Sequence, residues 1–255
     1  MTTEYSGSGD PTRTMELLWG VQARPRRGPK PKLTIERITQ AAIEVADAEG
    51  LGALSMRRVA ERLDVGAMSL YTYVPGKAEL LDLMVDAVYG ERPAPADADD
   101  GGWRERLERV ARANWALYRR HPWMLQIATV RPGLGPNTLA KYDEELRAVE
   151  GAGLTDVEMD SVLTLVLQYA VSSARLQAEA VEAQSRTGMT DEEWWAAHAP
   201  LLEKVFDADR YPVAARVGAA AGEALQAAYD PEYAFEFGLG RVLDGIGVLV
   251  ESRSS

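Results

Sequence analysis

Apolar residues recur at three- and four-residue spacing over most of this chain, whereas no stretch alternates apolar and polar residues for long enough to form a half-buried strand. This spacing is typical of amphipathic helices and predicts an all-α fold. Four helices are expected between residues 34 and 90. Beyond them the pattern predicts helices over 103–119, 122–129, 136–150, 156–187, 190–207 and 231–253.

The composition excludes several kinds of protein. The chain has 255 residues, no cysteine and two histidines, so disulfides, thiolate metal sites and a multi-histidine metal site are not expected. It contains no glycine-rich phosphate loop, nucleophile elbow or histidine–carboxylate constellation, and we expect neither a cofactor nor enzymatic activity. No apolar run reaches the ~18 residues that span a bilayer, and there is no signal-peptide pattern. We therefore expect a cytoplasmic protein that does not act at a membrane.

The net charge of −11 is unevenly distributed. Residues 24–77 contain ten basic and six acidic residues, whereas the chain from residue 91 onward contains 17 basic and 27 acidic residues. This asymmetry indicates a small polyanion-binding part joined to an acidic body. The expected organisation is a disordered, basic N-terminal arm at 1–32, a helix-turn-helix DNA-binding domain at 33–90, a connector at 91–102 and a helical-bundle domain at 103–255.

The basic arm contains the segment RPRRGPKPK at 24–32, which has five basic residues, three prolines and no acid. Proline prevents a helix there and favours an extended, solvated chain. Such a segment can lie along phosphates or enter a minor groove, and it can equally be a solubilising linker. Under the first interpretation the candidate DNA contacts are Arg26, Arg27, Lys30 and Lys32.

Residues 55–74 have the pattern of two short helices joined by a tight turn, which is the helix-turn-helix unit. Ser55 is a suitable N-cap for the first helix. Ala60 is small at the point where the second helix crosses the first. Asp64 tolerates the unusual φ that the turn needs, although glycine is more usual there. This unit predicts DNA binding, and the alternative is a packing unit that binds nothing.

In this motif the N-terminal part of the second helix enters the major groove. Leu70 and Val74 are expected to anchor that helix inward, which leaves small and polar residues facing outward. Small residues let the backbone approach the bases, serine can bond base edges, and alanine or methionine can touch thymine methyl groups. Arg57 is the candidate for a guanine contact, while tyrosines and Lys77 would bind phosphates. The candidate DNA contacts of this unit are Ser55, Arg57, Gly66, Ala67, Met68, Ser69, Tyr71, Thr72, Tyr73 and Lys77.

The segment from 33 to 88 resembles the DNA-binding domain of the tetracycline-repressor (TetR) family. The portions SMRRVAERL, LYTYVPGK and ELLDLM carry the match, while Asp64 stands where the family usually has a turn glycine. The helical remainder resembles the family's ligand-binding and dimerisation domain more loosely. The resemblance implies a homodimeric transcriptional regulator, usually a repressor, that a small ligand releases from a DNA operator. It also favours DNA binding over solubilisation for the basic arm.

The resemblance further implies a ligand pocket among the helices of the second domain. Pockets are mostly apolar with a few polar groups, although core packing is the alternative for any single aromatic side chain. Gln168 is a candidate because it interrupts an apolar run and a buried amide needs partners. Ile127 stands where the namesake regulator has a metal-binding histidine, which argues against a magnesium–tetracycline ligand. The candidate ligand contacts are Trp115, Tyr118, Trp123, Gln126, Ile127, Tyr142, Gln168, Tyr169, Ser172, Trp194, Trp195 and His198.

The C-terminal segment has the pattern of a dimer surface. Its glycines cost helix stability, and close packing of another helix is a reasonable compensation. The resemblance implies a four-helix bundle made by the helices at 156–187 and 231–253 of two subunits, and burial within one subunit is the alternative. The candidate dimer contacts are Phe235, Leu239, Val242, Ile246 and Leu249. A regulator that acts through a protein partner without small-molecule control is the alternative function.

Overall fold

The computed structural model describes residues 4–5, 7, 9–21, 33–91, 101–128, 133–225 and 229–253. Over these residues the chain is almost entirely helical, which confirms the all-α prediction. The helices are α1 Pro11–Leu18, α2 Ile35–Glu49, α3 Met56–Arg62, α4 Ala67–Tyr71, α5 Lys77–Tyr89, α6 Trp103–Arg120, α7 Pro136–Leu146, α8 Asp156–Thr187, α9 Asp191–Leu202, α10 Pro212–Leu225 and α11 Pro231–Arg253. Two short 3-10 helices span Leu51–Ala53 and Pro122–Gln126, and β1 Glu4–Tyr5 pairs in parallel with β2 Ile127–Ala128.

Three parts of the chain differ from the sequence-based expectation. Helix α1 lies in the region expected to be disordered, because Asp10 caps its first turn and Leu17 is buried. The helix expected over 122–129 is only a 3-10 turn followed by β2. Helix α10 lies where apolar spacing predicts no helix; its alanine-rich sequence forms a helix through intrinsic propensity.

One hydrophobic core joins the first domain to the beginning of the second. Ile38, Ala42 and Val45 of α2 are all buried in it. Trp123 and Ile127, which follow α6, belong to the same core. The orientation of the first domain is therefore set partly by apolar contacts with the second.

His121 adds a polar connection between the two domains. Its ring is buried, with Nδ1 lying 2.8 Å from Asp47 Oδ1 in α2 and Nε2 lying 3.0 Å from Glu91 Oε2, just after α5. Trp123 donates from Nε1 to the same oxygen of Asp47 at 2.7 Å. His121 and Trp123, which follow α6, therefore both bind Asp47 near the C-terminal end of α2.

A second core lies among α6, α8 and α11. Trp115 of α6 stacks on Phe235 of α11 with 4.2 Å between ring centroids. Leu107 and Val166 are completely buried beside them. By contrast, the described side chains of α9 and α10 contribute nothing buried to either core. None of the described helices combines the length and apolarity that crossing a membrane would need.

Asp86 of α5 fixes the start of α7. Its buried carboxylate accepts hydrogen bonds from Thr138 N and Thr138 Oγ1, both at 2.8 Å, and from Asn137 Nδ2 at 3.2 Å. Gly135 passes so close to this carboxylate that a Cβ there would overlap it. A negative charge at a helix N-terminus is favourable, and here it also satisfies backbone donors.

We expect Asp86→Ala to lower the free energy of unfolding by about 2 kcal/mol, because buried donors at the start of α7 would lose their acceptor. Urea denaturation followed by circular dichroism would measure this change. Asp143→Ala is the control, since Asp143 is exposed and pairs with Arg147 at the surface. It should cost ~0.5 kcal/mol or less. Equal losses for the two variants would contradict the proposed role of Asp86.

Candidate DNA-binding site and ligand-binding region

Helices α3 and α4 form the predicted helix-turn-helix unit. Ala60 is almost completely buried where the helices cross, and Val65 N donates to its carbonyl at 3.0 Å. Asp64 has a φ of 54°, as the turn requires, and it is the one non-glycine residue with positive φ in the described chain. Leu70 and Val74 are fully buried and anchor α4. The inward half of the unit is therefore as the sequence predicts.

The outward half of α4 presents small and weakly polar groups to solvent. Met68 is 78% exposed and Tyr71 is 45% exposed. The set of exposed candidate contacts is Gly66, Met68, Ser69, Tyr71 and Thr72. Two further candidates, Ala67 and Tyr73, are half-buried and pack against the core, so they have less surface available than the sequence suggested.

Arg57 projects from the first turn of α3 with 86% of its side chain exposed. Its Nε donates to Glu61 Oε1 at 3.0 Å, and hydrogen bonds from Arg57 and Arg58 lower the pKa of Glu61. Arg58 is instead held by Glu49, which it meets in a bidentate arrangement. Arg57 is therefore the freer of the two guanidinium groups to reach DNA.

The remaining candidates around this unit are placed as follows. Ser55 is exposed and caps α3, its Oγ accepting from Arg58 N at 3.1 Å. Lys77 is half-buried and begins α5. The arm candidates lie outside the described residues; they are Arg26, Arg27, Lys30 and Lys32.

Three of the predicted ligand contacts are core residues. Trp115, Trp123 and Ile127 are buried, but the last two belong to the core shared with the first domain. Half-buried Tyr169 donates from its hydroxyl to the Ala234 carbonyl at 2.8 Å. The two half-buried candidates Tyr118 and Gln126 complete the group that lies near these cores.

The other candidates do not line a common site. Gln168 and Ser172 are exposed, because they lie on the face of α8 opposite Val166 and Ala170; the expectation of a buried amide at 168 is wrong. Tyr142 is exposed and donates to Asp160. The candidates on α9 are also exposed: Trp194, Trp195 and His198. Trp194 and His198 stack on each other with ring centroids 4.0 Å apart.

A buried polar cluster that the sequence analysis missed lies between α5, α6 and α7. Lys141 Nζ donates to Glu145 Oε2 at 2.6 Å, and Asn114 Nδ2 donates to the other carboxylate oxygen at 2.6 Å. Burial raises the pKa of Tyr118 well above its ordinary value, and it raises that of Tyr89 as well. Asn114 follows Leu107 and Ala111 along one helical face, so the spacing in α6 could have identified it as buried.

Three buried polar atoms of α6 and α8 have no hydrogen-bond partner within the described residues. They are Trp115 Nε1, Asn114 Oδ1 and Gln177 Oε1. Buried polar atoms are almost always paired, so orphans of this kind indicate groups available to a ligand or an ordered water. Among the described residues there is no cluster of three or more histidine, aspartate or glutamate side chains that could hold a metal ion.

Two of the shallow cavities in the molecule are lined by described residues. One, of about 350 Å³, lies between α2 and α3 and is bordered by Arg37, Glu44 and Arg62. The other, of about 80 Å³, lies between α6 and α11 and is bordered by Arg104 and Leu243. None of the predicted ligand contacts lines either of these two cavities.

The predicted dimer residues lie along one stripe of α11 that faces the second core of the subunit. Phe235, Leu239 and Ile246 are buried inside the subunit, so their assignment to an outward surface is wrong. Val242 and Leu249 are half-buried. The apolar spacing correctly marked a packed face, but α6 and α8 of the same subunit occupy it.

The geometry defines a DNA-binding protein of the helix-turn-helix class with a helical second domain. Two family models match the chain: "Bacterial regulatory proteins, tetR family" over residues 38–84, and "Tetracyclin repressor-like, C-terminal domain" over residues 94–250. The chain belongs to the TetR family, which confirms the resemblance found in the sequence. It is a transcriptional regulator and not an enzyme.

Named relatives agree with this assignment. The HTH-type transcriptional repressor DrrR1 of Streptomyces coeruleorubidus is 51% identical over 99% of this chain and 91% of its own length. The apo structure of ActR from Streptomyces coelicolor is 28% identical, with a TM-score of 0.68 over 88% of this chain and 99% of that chain. A second ActR structure, in complex with actinorhodin, is 29% identical, with a TM-score of 0.69 over 85% of this chain and 96% of that chain.

Proposed function

We propose that this chain is a cytoplasmic repressor that binds a palindromic operator as a homodimer and leaves it when a small aromatic molecule binds. The exposed surface of α4 is the observation that carries the DNA-binding part. That surface is held by buried Leu70 and Val74, and it exposes Gly66, Met68 and Ser69. A repressor 51% identical over nearly the whole chain supports the direction of regulation.

The proposed contacts divide into two kinds. The exposed residues of α4 lie against base edges, and Arg57 reaches a guanine through its exposed guanidinium. Tyr71 and Lys77 bind phosphates, which position the protein without reading sequence. The basic residues of 24–32 add further phosphate or minor-groove contacts.

Operator selection from random duplex DNA, followed by fluorescence anisotropy at several salt concentrations, tests this proposal. We expect a palindromic consensus whose affinity falls as salt rises. Lys77→Ala should weaken every sequence and reduce the salt slope by about 1, and Tyr71→Phe should also weaken every sequence. Arg57→Ala should cost ~1–3 kcal/mol on the consensus and relax preference at one position.

Arg186→Ala is the control for loss of a positive charge, because Arg186 is exposed on α8 and pairs there with Glu182. It should leave DNA affinity and the salt slope unchanged. Equal losses for Arg57→Ala on consensus and random DNA would remove its base-reading role. If no sequence is selected and no salt-dependent binding occurs, the proposed function is wrong.

The effector site is proposed beside Trp115, between α6 and α8. The indole of Trp115 offers an aromatic face and an unpaired Nε1 donor, while Gln177 offers an unpaired Oε1 acceptor. An aromatic molecule that carries carbonyl and hydroxyl groups would satisfy both. One ActR structure contains actinorhodin, which supports a ligand of this class for a related protein.

A regulator that acts through a protein partner is the second candidate. The observation that favours it is the exposure of Trp194 and Trp195 of α9, two large aromatic side chains that a partner could cover. Binding of a small aromatic probe, measured by its effects on the Tm and on operator binding, separates the two functions.

Actinorhodin and smaller polycyclic hydroxyquinones are suitable probes for the effector site. We expect binding to raise the Tm and to release the selected operator. Gln177→Leu should weaken the probe about tenfold, because it removes an acceptor worth ~1.4 kcal/mol, while leaving the fold intact. Gln168→Leu is the matched control, since this amide lies nine positions away on the exposed face of α8. If no probe changes either the Tm or operator binding, the protein-partner function is favoured.

The dimer surface is proposed to be the exposed stripes of α8 and α11. On α11 the stripe contains Phe237 and Val248, with Gly245 between them having no neighbour within 4 Å of its Cβ position. On α8 it contains Leu165 and Leu176. Two such helices from each subunit would bury apolar area and let the backbones approach at Gly245.

Val248→Glu is expected to shift the protein from dimer to monomer, because it places unpaired charge in the middle of the proposed stripe. Light scattering after size-exclusion chromatography would measure the mass. Val213→Glu is the control: Val213 is 64% exposed and lies on α10, outside the stripe. A Val248→Glu protein that remains dimeric at micromolar concentration would place the interface elsewhere.

A further inference from the structure

The N-terminal segment, residues 4–21, packs against helix α5. Leu17 is buried in the core shared by the two domains, and Leu18 is partly buried against it. Thr14, one turn before Leu18, is also buried. A short helix of eight residues is not stable alone in water, so its docking on α5 is what holds it in place.

Backbone groups of the same segment meet two acidic residues of α5. Glu79 and Asp82 are both buried, although carboxylates rarely are. Asp10 N donates to Glu79 Oε1 at 3.3 Å, and Gly7 N donates to Asp82 Oδ1 at 2.9 Å. Buried carboxylates need hydrogen-bond donors, and this segment supplies them. The acidic side chains therefore fit the N-terminal segment specifically.

The segment also contacts the second domain. Trp19 donates from Nε1 to the Leu134 carbonyl at 2.9 Å, just before α7. In addition, β1 pairs with β2, whose residues Ile127 and Ala128 follow the 3-10 turn after α6. The N-terminal segment thus touches α5 on one side and Ile127, Ala128 and Leu134 on the other.

We propose that the N-terminal segment is a regulatory clasp that holds α5, β2 and the start of α7 in one arrangement and so sets the affinity for the operator. Helix α5 follows the helix-turn-helix unit directly, so a change in the orientation of α5 relative to the second domain moves α4. A docked clasp restricts this orientation, whereas a released clasp permits other orientations. This inference rests on the operator binding proposed above, because DNA affinity is its functional readout.

The cysteine-free sequence allows a direct test with a disulfide. A Cβ on Gly9 would lie 2.5 Å from Glu79 Oε1 and 3.3 Å from its Cγ. The β-carbons of the two positions therefore lie within about 5 Å, near the ~3.5–4.5 Å that a disulfide needs. The double variant Gly9→Cys/Glu79→Cys can be locked by oxidation and released by a reductant in the same preparation.

We expect the double variant to oxidise fully without denaturant, as shown by loss of free thiols and an unchanged monomer band. Its oxidised and reduced forms should differ about fivefold or more in affinity for the selected operator. The two single-cysteine variants should bind equally with and without reductant. Equal operator affinity of the oxidised and reduced forms would show that the clasp does not regulate DNA binding.

Leu17→Ser provides an independent release of the clasp, with Met15→Ser as the control on the exposed side of α1. In Leu17→Ser, but not in Met15→Ser, the amides of residues 7, 10, 127 and 128 should exchange hydrogen faster than in the native protein. The operator affinity of Leu17→Ser should change in the same direction as when the disulfide of the double variant is reduced. Unchanged exchange would overturn the clasp. If neither the native protein nor any variant binds the selected DNA, but hydrogen exchange is still faster in Leu17→Ser, the proposed function is wrong and the clasp contacts are supported.

Discussion

Helix α5 is buried on nearly every side, and the positions of its neighbours follow from that constraint. Its apolar residues join the core shared by the two domains. Its three buried carboxylates, Glu79, Asp82 and Asp86, would be costly without donors. The N-terminal segment donates a hydrogen bond to each of the first two, and the start of α7 satisfies the third. One helix thus specifies the placement of segments that are far apart in sequence.

This arrangement suits the helix-turn-helix unit, because its second helix, α4, is only five residues long. Such a helix has almost no stability of its own, so packing must hold it. Leu70 and Val74 anchor it to the same core that contains Trp123 and Ile127. The two domains share apolar contacts in this core, and Tyr118 of α6 packs against both this core and the second one. This packing is the path by which the proposed effector site would act on the DNA-binding surface.

The helix-turn-helix unit was predictable because its determinants are local. Asp64 forms the turn and Leu70 anchors α4, and both act within a few residues of the chain. The ligand region was not, because which face of a long helix is buried depends on partners. Gln168 interrupts an apolar run yet faces solvent, and Phe235 has dimer-like spacing yet packs on Trp115. Helix α1 carried an N-cap signal at Asp10, but its eight residues gain their stability only from α5.

Helices α9 and α10 stand apart from these constraints, since none of their described side chains is buried in the subunit. Substitutions at Trp194, Leu201 or Val213 should hardly change the folding free energy of one subunit. The large apolar side chains of α9 and α10 therefore contribute little to the stability of the isolated subunit, and any contact that covers them has to come from outside it.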